Sequence, residues 1–540
     1  MRIARSEEVL DKASEMGRIS AVGSFQLFLG KLISSTALAV GTMIISVFIL
    51  PTAYGLYTIA AIPASTFLLF QDCGVGMAMT RFCAQCKAEN RERDLPKIII
   101  AGMTFELATG CLLTIISLLM ASFLAFAVFK KPASAFLIEL ISVTILSSAV
   151  SGASQSVFAG LERMKFSSYA MVSQAIVQGT LSALLVFLGY GALGATIGYT
   201  IGSVVSGLTS AFLLYFVILR RLSSQFAFKS DLIQTLKLML KYGIPLSISI
   251  IVSGILLQFY FFLMAIFCSA SIIGDYSIAT NFAIIMTFFT VPITTVMFPA
   301  FSKINPQKER KLLKTVFATS AKYAAILIIP ATLALIVLSR PIIGTLFGNK
   351  WSYAPLLLSL SVASYLLTVF GSLSTSTLIP ALGETKFYMK LNLLSLLIGI
   401  PLGFILIPEL GIIGVILSAL LDGIPGMFIG ILWAWKKYET VIDFKSSAKI
   451  LLTSLIAATI TFLFFYLLNL TYWIQLIIGF VLFCAVYLTI TPLLGAISRE
   501  DIKNLRYIIS SLGTISKILE IPLTLMEKTL KVKPDLPSQN

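Results

Sequence analysis

Tyr54-Gly55-Leu56-Tyr57-Thr58-Ile59-Ala60 is half of a pair, because Gly274-Asp275-Tyr276-Ser277-Ile278-Ala279 repeats its pattern, Gly-x-Tyr-x-Ile-Ala. The second copy begins 219 residues after the first (274 − 55). Other pairs recur in the same order at nearly the same distance. Gly23 matches Gly243, Lys165-Phe166 matches Lys386-Phe387, and Gly191 and Gly194 match Gly411 and Gly414, at steps of 220, 221 and 220. One short match is weak, but four at a nearly constant offset argue for an internal duplication, with a tail outside it.

Composition says what kind of chain is duplicated. Of 540 residues, 58% are hydrophobic and only 12% charged, and mean hydropathy is +0.96. A soluble domain is about one quarter charged, so the chain reads as a polytopic membrane protein. Glu7, Glu8, Asp11 and Glu15 fall where a signal peptide would need its apolar core. The six cysteines suggest no disulfide framework. Cys83 and Cys86 form a C-x-x-C, but the chain has no histidine and no second pair to complete a four-ligand zinc site. Two small residues at a helix end is the better reading, and no metal or other cofactor is expected.

A spanning helix needs about 20 mostly apolar residues. Fourteen stretches qualify: 25–50, 54–79, 98–129, 135–161, 167–188 and 193–219; then 244–268, 273–300, 323–338, 354–378, 391–407 and 412–435; then 450–470 and 473–497. Segment 229–241 reads as an interfacial helix ahead of the second half. The expected fold is all-α and polytopic, two six-helix repeats followed by two further helices. The lobes are 1–221 and 222–437, the extra pair occupies 438–497, and 498–540 is an amphipathic tail on the cytoplasmic face; a small partner-binding helix is the alternative for that tail. Six helices per repeat return the second half to the same orientation, so the repeats should be parallel, related by an axis along the membrane normal.

The basic residues set the orientation. With the N-terminus inside, 35 of the 40 Lys and Arg fall in cytoplasmic segments. The external loops carry only Lys130, Lys131, Arg340 and Lys350, and Lys31 is left inside the first helix. This bias places both termini in the cytoplasm. It also explains the net charge of +16 without nucleic acid as a partner.

No enzymatic constellation is present: there is no histidine base and no glycine-rich phosphate loop ending in Lys-Ser or Lys-Thr. The chemistry-bearing candidates are ionisable residues within apolar runs, which are costly there and tend to face a bundle interior or cavity. Lys31 lies about 9 Å into the first helix and either meets a substrate or snorkels to the surface. Asp72 sits beside Gly74 and Gly76; Glu106 has Lys31 as a plausible partner; Asp422 precedes Gly423 and Pro425 near the middle of helix twelve. Helix two contains Pro63, Gly74 and Gly76, and helix eight is expected to break at Pro292 and Pro299. Interruptions at matching places in two repeats point to a substrate pathway, or else are ordinary kinks.

These residues together resemble a known family. Leu50-Pro51-Thr52-Ala53-Tyr54-Gly55-Leu56-Tyr57, Asp72-Cys73-Gly74-Val75-Gly76, Gly160-Leu161-Glu162-Arg163, Leu346-Phe347-Gly348 with Tyr353-Ala354, and Ala381-Leu382-Gly383 carry the likeness. In order and spacing they are similar to the polysaccharide-biosynthesis (O-antigen, Wzx-type) flippases of the MATE-like multidrug/oligosaccharidyl-lipid/polysaccharide exporter superfamily. The resemblance covers nearly the whole chain. It implies MATE-like bundles of twelve helices plus two, and alternating access that turns a polyprenyl-phosphate- or pyrophosphate-linked oligosaccharide from the cytoplasmic to the external leaflet. It also implies the plasma membrane of a prokaryote, a monomer among membrane lipids, and coupling to H+ or Na+. The chain departs from better-known members in having few deep arginines. On this reading Lys31, Arg81, Arg163, Lys165, Lys386 and Lys390 meet the anionic headgroup, and Asp72, Glu106 and Asp422 serve ion coupling. A cation-coupled multidrug exporter of the same superfamily and a non-transporting scaffold for glycosyltransferases are the alternatives.

Overall fold

The computed structural model describes residues 2–220, 232–468, 470–510 and 516–531, and among them every regular element is a helix. By length and composition twelve of these segments can cross a membrane, or thirteen if one bent pair is a single span. One of the twelve, Met164–Leu219, has 56 residues. It reverses at Gly189 (φ 91°) and Gly191 (φ 52°) into two helices that pack on each other.

The chain divides into two compact units. The first comprises residues 1–274 with 407–412. In it α1 (Arg2–Phe48) lies along α6 (Met164–Leu185), which packs on α7 (Gly191–Leu214). α4 (Leu95–Phe123) and α7 flank α5 (Ala135–Gly160), and α2 (Pro51–Gln71) and α3 (Val75–Ala88) cross it. α8 (Leu232–Phe267) closes the unit against α2, α3 and α4. Between apolar faces in a bilayer there is little hydrophobic drive, so close approach of small residues has to supply the packing. Gly41 meets Gly179, Gly110 meets Ala149 and Gly198 meets Ser182. One end of the unit has a conventional core instead: Val75, Ala78, Met79 and Cys83 of α3 pack with Ile98, Ile99, Val157, Phe158, Leu214 and Met239.

Cys83 and Cys86 are both buried in that core, three residues apart on one face of α3. Burial pushes the Cys83 thiol up to about 12, so it packs in that core as a neutral group.

The second unit comprises residues 275–406 with 413–540. α9 (Ala270–Ala283) leads into it and is followed by α10 (Ile285–Ser302). Its longest element, α11 (Arg310–Leu346), packs on α12 (Ala354–Ala363), α17 (Phe444–Leu467) and α18 (Tyr472–Leu493). α12 continues as a 3-10 stretch, Ser364–Phe370, then bends by 67° at Gly371 into α13 (Ser372–Ala381). α14 (Thr385–Leu410), α15 (Ile412–Leu421) and α16 (Gly423–Tyr438) complete the helices before α17.

Left-handed residues mark equivalent turns along the chain. Lys130 and Gly348, Glu162 and Gly383, and Gly191 and Gly411 all have φ between 52° and 80°. Their steps of 218, 221 and 220 match the spacing of the sequence motifs.

Three expectations change. Helix eight does not break at its prolines: Pro292 and Pro299 both lie inside α10, and the interruption falls at Ile284. Pro63 likewise sits inside α2, whereas the real break of helix two is Asp72–Gly74, where Gly74 has φ 80°. Neighbouring helices can satisfy what a proline frees, but a left-handed residue ends a right-handed helix outright. No separate interfacial helix precedes helix seven, since α8 runs unbroken from Leu232 through Pro245; residues 221–231 lie outside the described residues. Lastly, the tail is two helices, α19 (Arg499–Ser510) and α20 (Ser516–Lys531), whose Ile502, Leu523 and Met526 are buried in one cluster with Ile450, Phe483 and Tyr487. Protein therefore covers these apolar side chains.

Candidate functional site

Where α2 stops, its last residue, Gln71, is buried and its side-chain amide donates to Glu106 Oε2 at 2.8 Å. Asp72 follows at the C-cap, and its Oδ1 accepts the backbone N–H of Gly76 at 2.5 Å, so it anchors the start of α3. The Glu106 side chain, 2% exposed on α4, also hydrogen-bonds Asp72. The break in helix two, at Gly74, thus brings two sequence-predicted residues, half-buried Asp72 and buried Glu106, into one polar cluster with Gln71. Glu106 is matched by Gln71 and Asp72 rather than by Lys31. Gln71 was overlooked because an amide at the end of an apolar run carries no charge to draw attention.

The break is itself held. A Cβ on Gly74 would lie 2.2 Å from the carbonyl oxygen of Gly243, and one on Gly243 would lie 2.4 Å from that of Gly74. Further along the same helix pair, the Ser65 and Thr66 hydroxyls donate to Gln258 Oε1 at 3.1 and 3.3 Å.

Lys31 is exposed on α1, and among the described residues it makes no ion pair. The other basic candidates of the first unit each have a local partner. Arg81 stacks its guanidinium over the Tyr242 ring at 4.4 Å. Arg163 Nη1 donates to the Val217 carbonyl at 3.5 Å, and Lys165 Nζ sits 5.1 Å from the Phe166 ring centroid. Arg81 and Lys165 are exposed and Arg163 is half-buried, and Lys87 pairs with Glu162 at 2.6 Å.

In the second unit Lys386 and Lys390 are exposed on α14. The neighbouring turn is clamped by Glu384, which pairs with Lys437. Asp422 is 8% exposed at the junction of α15 and α16, a second acidic side chain at a helix break. Asp275 is a functional candidate that the sequence reading passed over. It is 2% exposed, and its carboxylate accepts the backbone N–H groups of Tyr353 and Ala354, at the start of α12. The signal was present: Asp275 stands where the first copy of the repeated motif has Leu56.

The ion pairs between elements agree with the charge bias. Lys87–Glu162, Lys314–Glu439, Lys322–Asp501 and Lys437–Glu384 all join segments assigned to the same membrane side.

Several known proteins are similar to this chain. The chain is 25% identical over 243 residues to the probable low-salt glycan biosynthesis flippase Agl15 of Haloferax volcanii, covering 45% of this chain and 51% of that one. It is 30% identical over 184 residues to the lipopolysaccharide biosynthesis protein WzxC of Escherichia coli, covering 34% and 37%. The chain therefore matches about half the length of the first relative and just over a third of the second. Among solved structures, the lipid II flippase MurJ in an inward closed conformation superposes with a TM-score of 0.65 at 21% identity, covering 86% of this chain and 98% of that one. An inward-facing multidrug resistance MATE family transporter of the MOP superfamily gives 0.62 at 16%, covering 76% and 98%. At such identities the likeness is one of fold, that of a multi-pass helical membrane protein. Residues 44–355, more than half the chain, match the family model described as polysaccharide biosynthesis protein, and the chain belongs to that family.

Proposed function

We propose that this protein is a flippase. It carries a polyprenyl-phosphate- or pyrophosphate-linked oligosaccharide from the cytoplasmic to the external leaflet by alternating access, for polysaccharide or glycan assembly. The supporting observation is Lys31, an exposed ammonium within a membrane-spanning helix of a polysaccharide-biosynthesis family member. An anionic headgroup gains far more from a cation inside a low-dielectric passage than in water. Arg81, Arg163 and Lys165 provide the basic margin at which the headgroup would first arrive. Lys386 and Lys390 play the corresponding part in the second unit. Asp72 and Glu106, and in the second unit Asp422, are the candidates for coupling to H+ or Na+. The protein sits in a prokaryotic plasma membrane with both termini in the cytoplasm and works as a monomer.

The acidic cluster also favours a second reading, export of small organic cations. Reconstitution into liposomes separates the two. A fluorescent polyprenyl-diphosphate oligosaccharide should be moved and a cationic dye should not; the reverse result overturns the flippase reading.

A further inference from the structure

The α1–α6 seam has two flanks of opposite character. The helices run parallel, with Gly30 against Ser168 and Gly41 against Gly179. On one flank this contact leaves a groove of about 580 Å³, walled by Leu32, Ile33, Val40 and Ile44 of α1 and by Ile176 and Ala183 of α6. Its two hydroxyls are spent on their own helices: Thr36 donates to the Leu32 carbonyl at 2.9 Å and Thr180 to that of Ile176 at 2.6 Å. The groove therefore offers hydrocarbon alone. From Leu32 to Ile44 it runs about 18 Å along the helix, more than half of a bilayer core about 30 Å thick.

The groove has a charged end. Lys165, Tyr169, Ile176, Thr180 and Ala183 follow the spacing of one helix face. Lys165 and Tyr169 are both exposed, one turn apart, below the start of the groove. An ammonium and a phenol at a membrane boundary suit a phosphate. Lys31, two residues from Ile33, points to the other flank of α1.

We propose that the α1–α6 groove holds the hydrocarbon chain of a polyprenyl phosphate whose phosphate rests on Lys165 and Tyr169. This deepens the flippase reading and rests on it. A polar headgroup that crosses a membrane needs a polar route, while its tail stays in hydrocarbon. α1 then divides the two, with the tail on its groove flank and Lys31 on the other.

The test uses the full chain in phosphatidylcholine nanodiscs and a sugar-free polyprenyl phosphate bearing a diazirine in its tail. After illumination, label should concentrate on residues 32–44 and 175–183. Thr180→Trp or Thr36→Trp, both at exposed positions that fill the groove, should cut labelling about tenfold, the factor that ~1.4 kcal/mol of lost binding gives. Lys165→Gln should weaken labelling where Lys165→Arg retains it. Leu188→Trp, exposed elsewhere on the same hairpin, should change nothing. Label spread evenly over exposed side chains such as Leu119 and Phe126, or indifferent to both tryptophans in well-folded protein, overturns the proposal. So does a dimer in the nanodisc that Thr180→Trp separates, since the groove is then a protein interface. Flipping is measured separately. Groove labelling without transport by the parent sinks the flippase reading, and transport without groove labelling sinks the tail site.

Discussion

Gly55 and Gly274, the two glycines of the recurring motif, lie against each other. A Cβ on Gly55 would come within 1.7 Å of the Ala270 carbonyl oxygen and 3.0 Å of Gly274 N; one on Gly274 would come within 2.1 Å of the Pro51 carbonyl oxygen and 3.2 Å of Gly55 N. Neither contact leaves room for a methyl group, and the opposing atoms are backbone. About 28 Å further along helix two, roughly the thickness of the bilayer core, Gly74 and Gly243 meet in the same way. Helix two is therefore pinned by glycine contacts near both membrane surfaces. Gly55→Ala and Gly274→Ala should each cost about 1–3 kcal/mol or more through overpacking. Gly152→Ala, with nothing within 4 Å of its added Cβ, should be near neutral. Thermal unfolding in detergent measures the difference, and equal midpoints for Gly55→Ala and Gly152→Ala would contradict the packing.

The docked tail should be sensitive to acid. Asp501 accepts from Lys322 Nζ at 2.6 Å and from the backbone N and hydroxyl of Ser498, both at 2.8 Å, and Ser498 Oγ in turn accepts the Asp501 N–H. This is a capping box at the start of α19, tied to α11 by an ion pair. Burial alone would raise the Asp501 carboxyl, but Lys322 and Ser498 bring it below its ordinary range. It then binds a proton less readily when docked than when released. Docking is strongest near neutrality and weakens as pH falls through and below about 4. Asp501→Asn should loosen α19 and α20 by about 1–3 kcal/mol at pH 7. Hydrogen exchange of 499–531 reports it, and unchanged protection in the variant would remove the pair from the latch.

Topology is open to direct labelling. A single cysteine at Lys130, in a background without native cysteines, should react with an impermeant maleimide added outside. One at Lys386, also exposed, should react only after permeabilisation. Labelling of Lys386 in sealed cells would invert the charge-bias orientation.

For coupling, the Asp72–Glu106 cluster makes a sharper claim than either residue alone. Glu106→Gln keeps the shape and a hydrogen-bond partner for Gln71 but removes a group able to take up and release a proton. Transport driven by a pH gradient should fall to the level seen without the gradient, with expression intact. Asp72→Asn should do the same and also loosen the start of α3, where Asp72 holds Gly76 N. Full gradient dependence in Glu106→Gln would move coupling to Asp422 or to a site not containing these carboxyls.

The sequence was most legible where a single residue type decides the physics. Apolar length marked the helices, and the basic residues grouped segments that the structure then joins by ion pairs. It was least legible at breaks. Pro63, Pro292 and Pro299 looked like interruptions but lie within helices, while Ile284 carried no warning at all. Glu162 and Lys130 adopt left-handed turns at positions where the second half has Gly383 and Gly348, so only the later copy announced the turn. Of the site, the charged members were visible. Gln71 was not, because its role depends on a partner distant in sequence, Glu106, and Asp275 showed only as a charge where the first copy of the motif has Leu56.

The proposed headgroup site is tested most directly at Lys31. The segment that the sequence spacing aligns with its helix, 244–268, carries no charge, so the ammonium has no equivalent there. Among the described residues it has no ion pair, and Glu106, its obvious candidate partner, is committed to Gln71 and Asp72. Two explanations predict different kinetics. A snorkelling anchor would tolerate loss of charge, because an exposed lysine near a helix end contributes little that glutamine cannot replace. A phosphate ligand would not, and arginine would substitute well because it also presents a permanent positive charge. Lys31→Arg should therefore keep most of the flipping rate, and Lys31→Gln should lose about ten- to a hundredfold, the range for a charge-assisted hydrogen bond worth about 1.5–3 kcal/mol. Both should insert and express like the parent. If Lys31→Gln flips substrate at the parental rate, Lys31 is an anchor only, and the phosphate must instead be met by Arg81, Arg163, Lys165, Lys386 or Lys390.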